Sequence, residues 1–172
     1  MLPYDDRMVH DDFTHLDEAG RARMVDVSEK ASTARRAVAE GTVRMAGATV
    51  DAVRRGEVAK GDVLAVARIA GIQGAKRASD LLPLCHPLRI DAVDVQVEPE
   101  GDERVAIRAE VRAFDRTGVE MEALAAVTAA ALSVIDMVKG VDRMAFIERI
   151  RLLEKEGGRT GSWRRDEAEA GS

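Results

Sequence analysis

No charged residue interrupts the chain from Ala123 to Ile135, and from Val63 to Ala70 the only charge is Arg68. Both stretches are too rich in alanine, leucine and isoleucine, and too free of glycine–proline punctuation, to be loops. A helix that is apolar on every side must be covered on more than one side. Two such helices in one short chain predict a packed helical layer with apolar surface left over, and hence an oligomer. The uncharged run is shorter than the ~20 residues a bilayer span needs, so no membrane segment is expected. The first residues, Met1-Leu2-Pro3-Tyr4-Asp5-Asp6, are acidic and lack the apolar core of a secretory signal.

The chain is 172 residues long, which predicts one domain. Aromatics are only 3% of it, so small aliphatic side chains must build the core. Alanine-rich elements approach closely and leave little internal space, which favours a ligand site between subunits. The net charge of −5 and the scarcity of stacking aromatics argue against nucleic-acid binding. A small anion needs only a local cluster of cations. Cys85 is the sole cysteine, so no intrachain disulfide can form, in keeping with a cytoplasmic location.

The rest of the chain reads as strand and helix in alternation. Met24–Val27 is a short alternating strand, and 37–45 a second extended piece. Thr49–Arg55 is a helix stopped by Gly56, and Asp62 caps a long helix running to about Leu82, before Pro83. Ile90–Val97 and Val105–Phe114 alternate as the arms of a hairpin around Pro99-Glu100-Gly101-Asp102. A helix over 118–141 and a strand over 144–153 follow. The order predicts an α+β, ferredoxin-like sandwich, an antiparallel sheet with helices on one face. Residues 1–13 and 162–172 read as polar tails around a single domain at 14–161.

Several polar residues sit in apolar company. His86 lies between Pro83 and Pro87 in Leu84-Cys85-His86-Pro87-Leu88. It is either a turn histidine bonded to a carbonyl or a fixed proton carrier. Cys85 reads as a core thiol rather than a nucleophile, and no Cys/His spacing fits a zinc site. Glu120 and Glu122 open the last helix, where acids favour the helix dipole. Two positions apart, they point to different sides of the helix and so have different jobs. Asp136 interrupts an apolar run and is expected to be semi-buried, with Lys139 one turn on. Such a pair is either a weak surface ion pair or a lysine poised as an acid or base. Lys60 stands just before the helix cap Asp62, with no acid in the two positions before it.

Taken together, Lys60-Gly61-Asp62, Ala67-Arg68-Ile69-Ala70-Gly71-Ile72-Gln73, Leu84-Cys85-His86-Pro87-Leu88, Thr117-Gly118-Val119-Glu120-Met121-Glu122-Ala123-Leu124, Asp136-Met137 and Lys139 resemble the molybdenum-cofactor biosynthesis protein C family. The resemblance runs from about Thr14 to Gly161 and its motifs are collinear. It implies a ferredoxin-like fold assembled as a homohexamer, a trimer of dimers with sites at the dimer interface. It also implies conversion of a cyclic dihydroguanosine triphosphate to cyclic pyranopterin monophosphate and pyrophosphate, a lyase reaction of molybdenum cofactor biosynthesis. The family's functional lysines fall on Lys60 and Lys139, its histidine on His86 and its aspartate on Asp136. Substrate contacts fall on Leu84, Cys85 and His86, on Glu120, Met121 and Glu122, and on Arg35.

One departure lies in the glycine-rich C-terminal loop, where the family's Gly-Gly-Lys-Ser-Gly is Gly157-Gly158-Arg159-Thr160-Gly161. Arg159 keeps the charge as a planar fork, which suits phosphate binding but not proton transfer. No cofactor is required by the residues, although Mg²⁺ can accompany a triphosphate. A non-catalytic anion-binding module on the same fold would not need Asp136, Lys139 and His86 together.

Overall fold

The computed structural model describes residues 21–158 and 161–166. Its elements, in chain order, are β1 (Thr33–Arg44), α1 (Gly47–Arg55), α2 (Val63–Lys76), α3 (Ala78–Leu81), β2 (Ile90–Glu100), β3 (Arg104–Asp115), α4 (Glu120–Val138), β4 (Phe146–Glu156) and β5 (Trp163–Arg164). The strands form one antiparallel sheet in the order β2-β3-β1-β4-β5. Helices α2 and α4 cover one face of it. This is the expected α+β, ferredoxin-like sandwich.

β1 is the centre of the sheet and is buried on both faces. Ala37, Val38 and Ala39 are all 0% exposed, which is why its sequence lacks the clean alternation of an edge strand. Ala37, Ala39 and Val43 face the helices with Val105, Ile107, Ala109 and Val111 of β3. The opposite face is covered by long charged side chains. Arg36 there bonds Glu110, Glu154 and Glu156 at 2.8–2.9 Å, and Arg151 bonds Glu40 at 2.6 Å. The carboxylates of Glu110 and Glu154 are held below their usual range chiefly by the hydrogen bonds from Arg36.

The helical layer is closely packed because its contact residues are small. A Cβ on Gly74 would lie 2.6 Å from the carbonyl oxygen of Ala125 and 2.5 Å from the Ala129 side chain. One on Gly71 would lie 2.9 Å from Val95. Thus α2, α4 and the sheet meet almost backbone to backbone. Ile69 and Leu132 remain on the outer side of this layer, 61% and 56% exposed, the surplus apolar surface that the two uncharged runs foretell. By length and composition α4 could cross a membrane, with 19 residues and a mean hydropathy of 1.7, but 56% of it is buried in the fold. Its apolar character is that of a core helix.

Three readings from the sequence change. Met24–Val27 is not a strand; only Ala22 makes an isolated bridge. Its alternation serves instead to turn Val25 and Val27 into a cleft. The helix expected to run to Leu82 breaks at Arg77 (φ −116°, ψ 14°), where Ala78 turns into the core at 1% exposure, and a last turn, α3, follows. Finally, residues assigned to the C-terminal tail supply β5, pairing Trp163 with Lys155 and Arg164 with Glu154. The Asp62 cap is as expected: its carboxylate accepts the backbone N–H of Ala65 at 3.0 Å. So is the Gly56 stop, with a left-handed φ of 68°.

Candidate active site

The sequence-derived site residues gather in two groups, one at each end of α4. At the C-terminal end, Asp136 sits between two ammonium groups. One carboxylate oxygen is 2.7 Å from Lys139 Nζ, the other 3.1 Å from Lys60 Nζ. Lys60 also donates to the backbone carbonyl of Asp136 at 2.6 Å. The two hydrogen bonds, that from Lys139 being the larger influence, hold the Asp136 carboxyl below its usual range.

Two expectations are corrected here. Asp136 is not semi-buried; its side chain is 57% exposed. Packing below α4 uses Val134, Met137 and Val138, and the interrupting carboxylate points outward between them. Nor is Lys60 without an acid. The α1–α2 connection folds across to α4 and gives it Asp136, 76 residues away, a distance in sequence that no local pattern reveals.

At the N-terminal end the setting is the reverse. Glu122 is 3% exposed, and its Oε2 is buried with no hydrogen-bond partner among the described residues. Its other oxygen accepts from the Cys85 thiol at 3.6 Å. Burial pushes the Glu122 carboxyl up from its ordinary value, against a lesser downward pull from hydrogen bonding. Burial, together with the neighbouring Glu122, raises the Cys85 thiol to about 11. Cys85 is therefore a neutral thiol and a poor nucleophile, as its isolation in the sequence suggested.

Glu120 faces elsewhere. It accepts an ion pair from Lys155 of β4 at 3.1 Å. The two acids of the first turn thus have different surroundings, as their angular separation requires.

Around this end lie two adjoining hollows. The larger, about 640 Å³, is lined by Lys30, Arg35, Arg116, Gly157 and Gly158 among others. The second, about 500 Å³, is lined by Val27, Leu84, Cys85, His86 and Met121. They share Lys30, Thr117, Gly118, Glu120 and Lys155. Both have the size of small-molecule pockets. The first is rich in cations and in backbone at a glycine turn, the combination that receives phosphate.

Arg35 is fixed at its wall by donating to the carbonyls of Asp115 and Arg116, each at 3.2 Å. Gly158 is the only residue type that fits there. Its φ is 79°, and a Cβ would collide with the Arg35 guanidinium.

The structure thus brings Arg35, Leu84, Cys85, His86, Glu120 and Met121 together, with Glu122 buried behind them. It brings Lys60, Asp136 and Lys139 together elsewhere. Arg159 lies outside the described residues.

Sequence reasoning missed Lys155, Lys30 and Arg116, which read as ordinary surface cations. Lys155 lies on the helix-facing side of β4, paired with the core residue Ala37, a position that the sheet register gives and the local sequence does not. Asp26 was also missed. It accepts from the backbone and hydroxyl of Ser28 at 2.8 and 2.7 Å, and these bonds, with smaller pulls from Arg23 and His86, hold its carboxyl below its usual range.

Residues 24–158 match the model of the MoaC family. This chain belongs to the MoaC family. Among curated MoaC relatives, the protein named cyclic pyranopterin monophosphate synthase 3 in Mycobacterium bovis is 60% identical over 156 residues, covering 91% of this chain and 88% of the relative. Its namesake in Mycobacterium tuberculosis matches to the same extent. The cyclic pyranopterin monophosphate synthase of Thermomicrobium roseum is 58% identical over 160 residues, covering 92% and 96%. The matched MoaC region contains every candidate residue from Arg35 to Lys139, so both ends of α4 lie inside the family's own domain.

Proposed function

We infer that this MoaC-family chain is a lyase of molybdenum cofactor biosynthesis. It converts (8S)-3',8-cyclo-7,8-dihydroguanosine 5'-triphosphate to cyclic pyranopterin monophosphate and releases pyrophosphate. The observation that carries the chemistry is the presence of a cation-lined glycine cleft, a Lys–Asp–Lys cluster and a buried acid, Glu122. The reaction asks for these groups. A triphosphate requires cations, which Arg35, Lys155, Lys30 and Arg116 supply. Opening the purine ring and closing a pyran require several proton transfers. Lys139, held by the Asp136 carboxylate, is our leading acid–base group, with His86 in the second hollow. Closing the cyclic phosphate on a sugar hydroxyl depends on positioning and charge neutralisation.

The two groups cannot serve one substrate within one chain. Glu122 and Lys139 are 17 positions apart, about 25 Å along α4 at ~1.5 Å per residue. We propose that a second copy, docked two-fold on the outer helical face bearing Ile69 and Leu132, brings its α4 end to this chain's cleft. Each pair of subunits then has two composite sites, and three pairs give the hexamer that the family resemblance implied. Mg²⁺, where it takes part, would arrive on the triphosphate, since among the described residues no three His, Cys, Asp or Glu side chains converge. A cytoplasmic location fits this work.

The direct test is turnover of the cyclic triphosphate by purified protein with detection of pyrophosphate; no release would refute the assignment. The composite site is tested by co-expressing inactive Glu122→Ala with inactive Lys139→Ala as differently tagged chains. About half of the randomly formed dimers are mixed, each with one intact and one doubly altered site, so roughly a quarter of wild-type activity returns. Mixed oligomers that form but stay inactive would rule it out.

A further inference from the structure

The two hollows at the start of α4 have an ion pair in their common wall. Glu120 and Lys155 line both of them, and their side chains, 24% and 30% exposed, meet at 3.1 Å between the cation-rich compartment and the one holding Cys85, His86 and Met121. The two residues come from opposite walls, Glu120 from the first residue of α4 and Lys155 from β4, where it is paired with Ala37. The carboxylate lies folded back over the Thr117-Gly118 turn. A Cβ at Gly118 would run into it, so that turn has a glycine where Glu120 needs the space.

An acid in this position is at odds with a cleft built for phosphate. Glu120 occupies the ammonium group that an anion would use, and it adds negative charge to the wall. We propose that the Glu120–Lys155 ion pair is a latch that the substrate's own polyphosphate opens. A phosphate oxygen takes over Lys155, the Glu120 carboxylate is released, and the two compartments become one groove whose free acid faces the rest of the substrate. The displacement is an exchange of one anion for another on a fixed cation, so no covalent step is involved. A ligand without phosphates leaves the pair closed. This rests on the reading of the larger hollow as the polyphosphate site. It adds that occupation of that site is coupled to the availability of an acid in the next.

The probe is inorganic tripolyphosphate, titrated by calorimetry into the intact protein, with a double-mutant cycle over Glu120→Gln and Lys155→Met. Freeing Lys155 by Glu120→Gln tightens tripolyphosphate binding by roughly two- to fivefold, the worth of one partly exposed ion pair. In the Lys155→Met background the same Glu120→Gln change has no such effect, because no latch remains to open. Gly118→Ala, which displaces the carboxylate while keeping it, gives part of the gain. If Glu120→Gln tightens binding equally with and without Lys155, Glu120 acts only as a through-space repulsive charge and the latch is overturned, although the polyphosphate site stands. If tripolyphosphate does not bind wild-type protein at all, the polyphosphate reading of this hollow falls, and the latch falls with it.

Discussion

The two ends of α4 carry carboxylates in opposite states. At its start, Glu122 is 3% exposed, has an oxygen with no partner among the described residues, and has its pKa pushed up by burial. At its end, Asp136 is open to solvent and kept ionised by Lys139 and Lys60. One helix thus presents a buried acid with a raised pKa at one end and a charged acid between two cations at the other. The difference shows how a single element can supply distinct acid–base groups without their interfering. At about 21 Å apart, 14 positions at ~1.5 Å each, each end is several Debye lengths of screening from the other at high salt and well over one at physiological salt. In the composite site proposed above, it is assembly that brings them together.

The largest effect is expected from the open end. Lys139→Ala lowers kcat by about 10²–10⁴-fold, the range for losing a positioned acid–base group, with a smaller change in KM. Lys60→Ala loses turnover too, and it also raises KM, because Lys60 is the second cation on Asp136 and is a candidate for phosphate. Steady-state kinetics separates the two. Near-normal turnover in Lys139→Ala would leave the open end without a chemical role and break the comparison.

Between the ends, Gly74→Val is expected to destabilise the fold by about 1–3 kcal/mol by overpacking, since even a Cβ meets the Ala125 carbonyl at 2.6 Å. Chemical denaturation of the variant measures it. A neutral result would mean that the helices can part at no cost, and the spacing of the two ends would not be rigid.

Much of this arrangement was legible in the chain. The uncharged runs declared a buried helical pair, the Asp62 cap and Gly56 stop were local patterns with local causes, and the β2–β3 hairpin followed from alternation. What escaped was non-local. β1 is buried on both faces by partners far away in sequence, so its pattern is blurred. Met24–Val27 alternates without having a strand to pair with. The Lys60–Asp136 bond closes over 76 residues, and nothing near Lys60 announces it. Asp136 looked buried because its neighbours are, yet helical geometry puts it on the one side where they are not. Lys155 was passed over because a lysine in an edge-like strand is ordinarily solvated, and only the sheet register shows that it faces inward. The family resemblance supplied the names of the site residues, but not their grouping at two ends of one helix.

A smaller effect is expected from the closed end. A carboxyl whose folded pKa is raised binds its proton more tightly in the folded state. Its contribution is therefore intact below the unfolded value and is lost as pH rises through the folded one. Glu122→Gln removes that loss. The variant should melt about 2–4 °C above the wild type at pH 8, and the gap should close toward pH 5. A gap independent of pH would show that Glu122 is not held neutral by burial.

The smallest effect is the matching change at the open end. Asp136 has a lowered folded pKa, so its contribution is complete above the unfolded value and is lost only as pH falls through the folded one. Across pH 5 to 8 it is therefore constant. Its ion pairs are also exposed, with side chains 45–61% accessible at Lys60, Asp136 and Lys139, and such pairs add little to stability. Asp136→Asn should thus shift the melting temperature by no more than about 1 °C at either pH, while turnover falls because Lys139 and Lys60 lose the anion that orients them. Thermal melts at both pH values, run beside Glu122→Gln, measure the contrast directly. A pH-dependent shift in Asp136→Asn as large as that in Glu122→Gln would mean that Asp136 is buried in the assembled protein, placing the open end inside a subunit contact rather than at the mouth of a site.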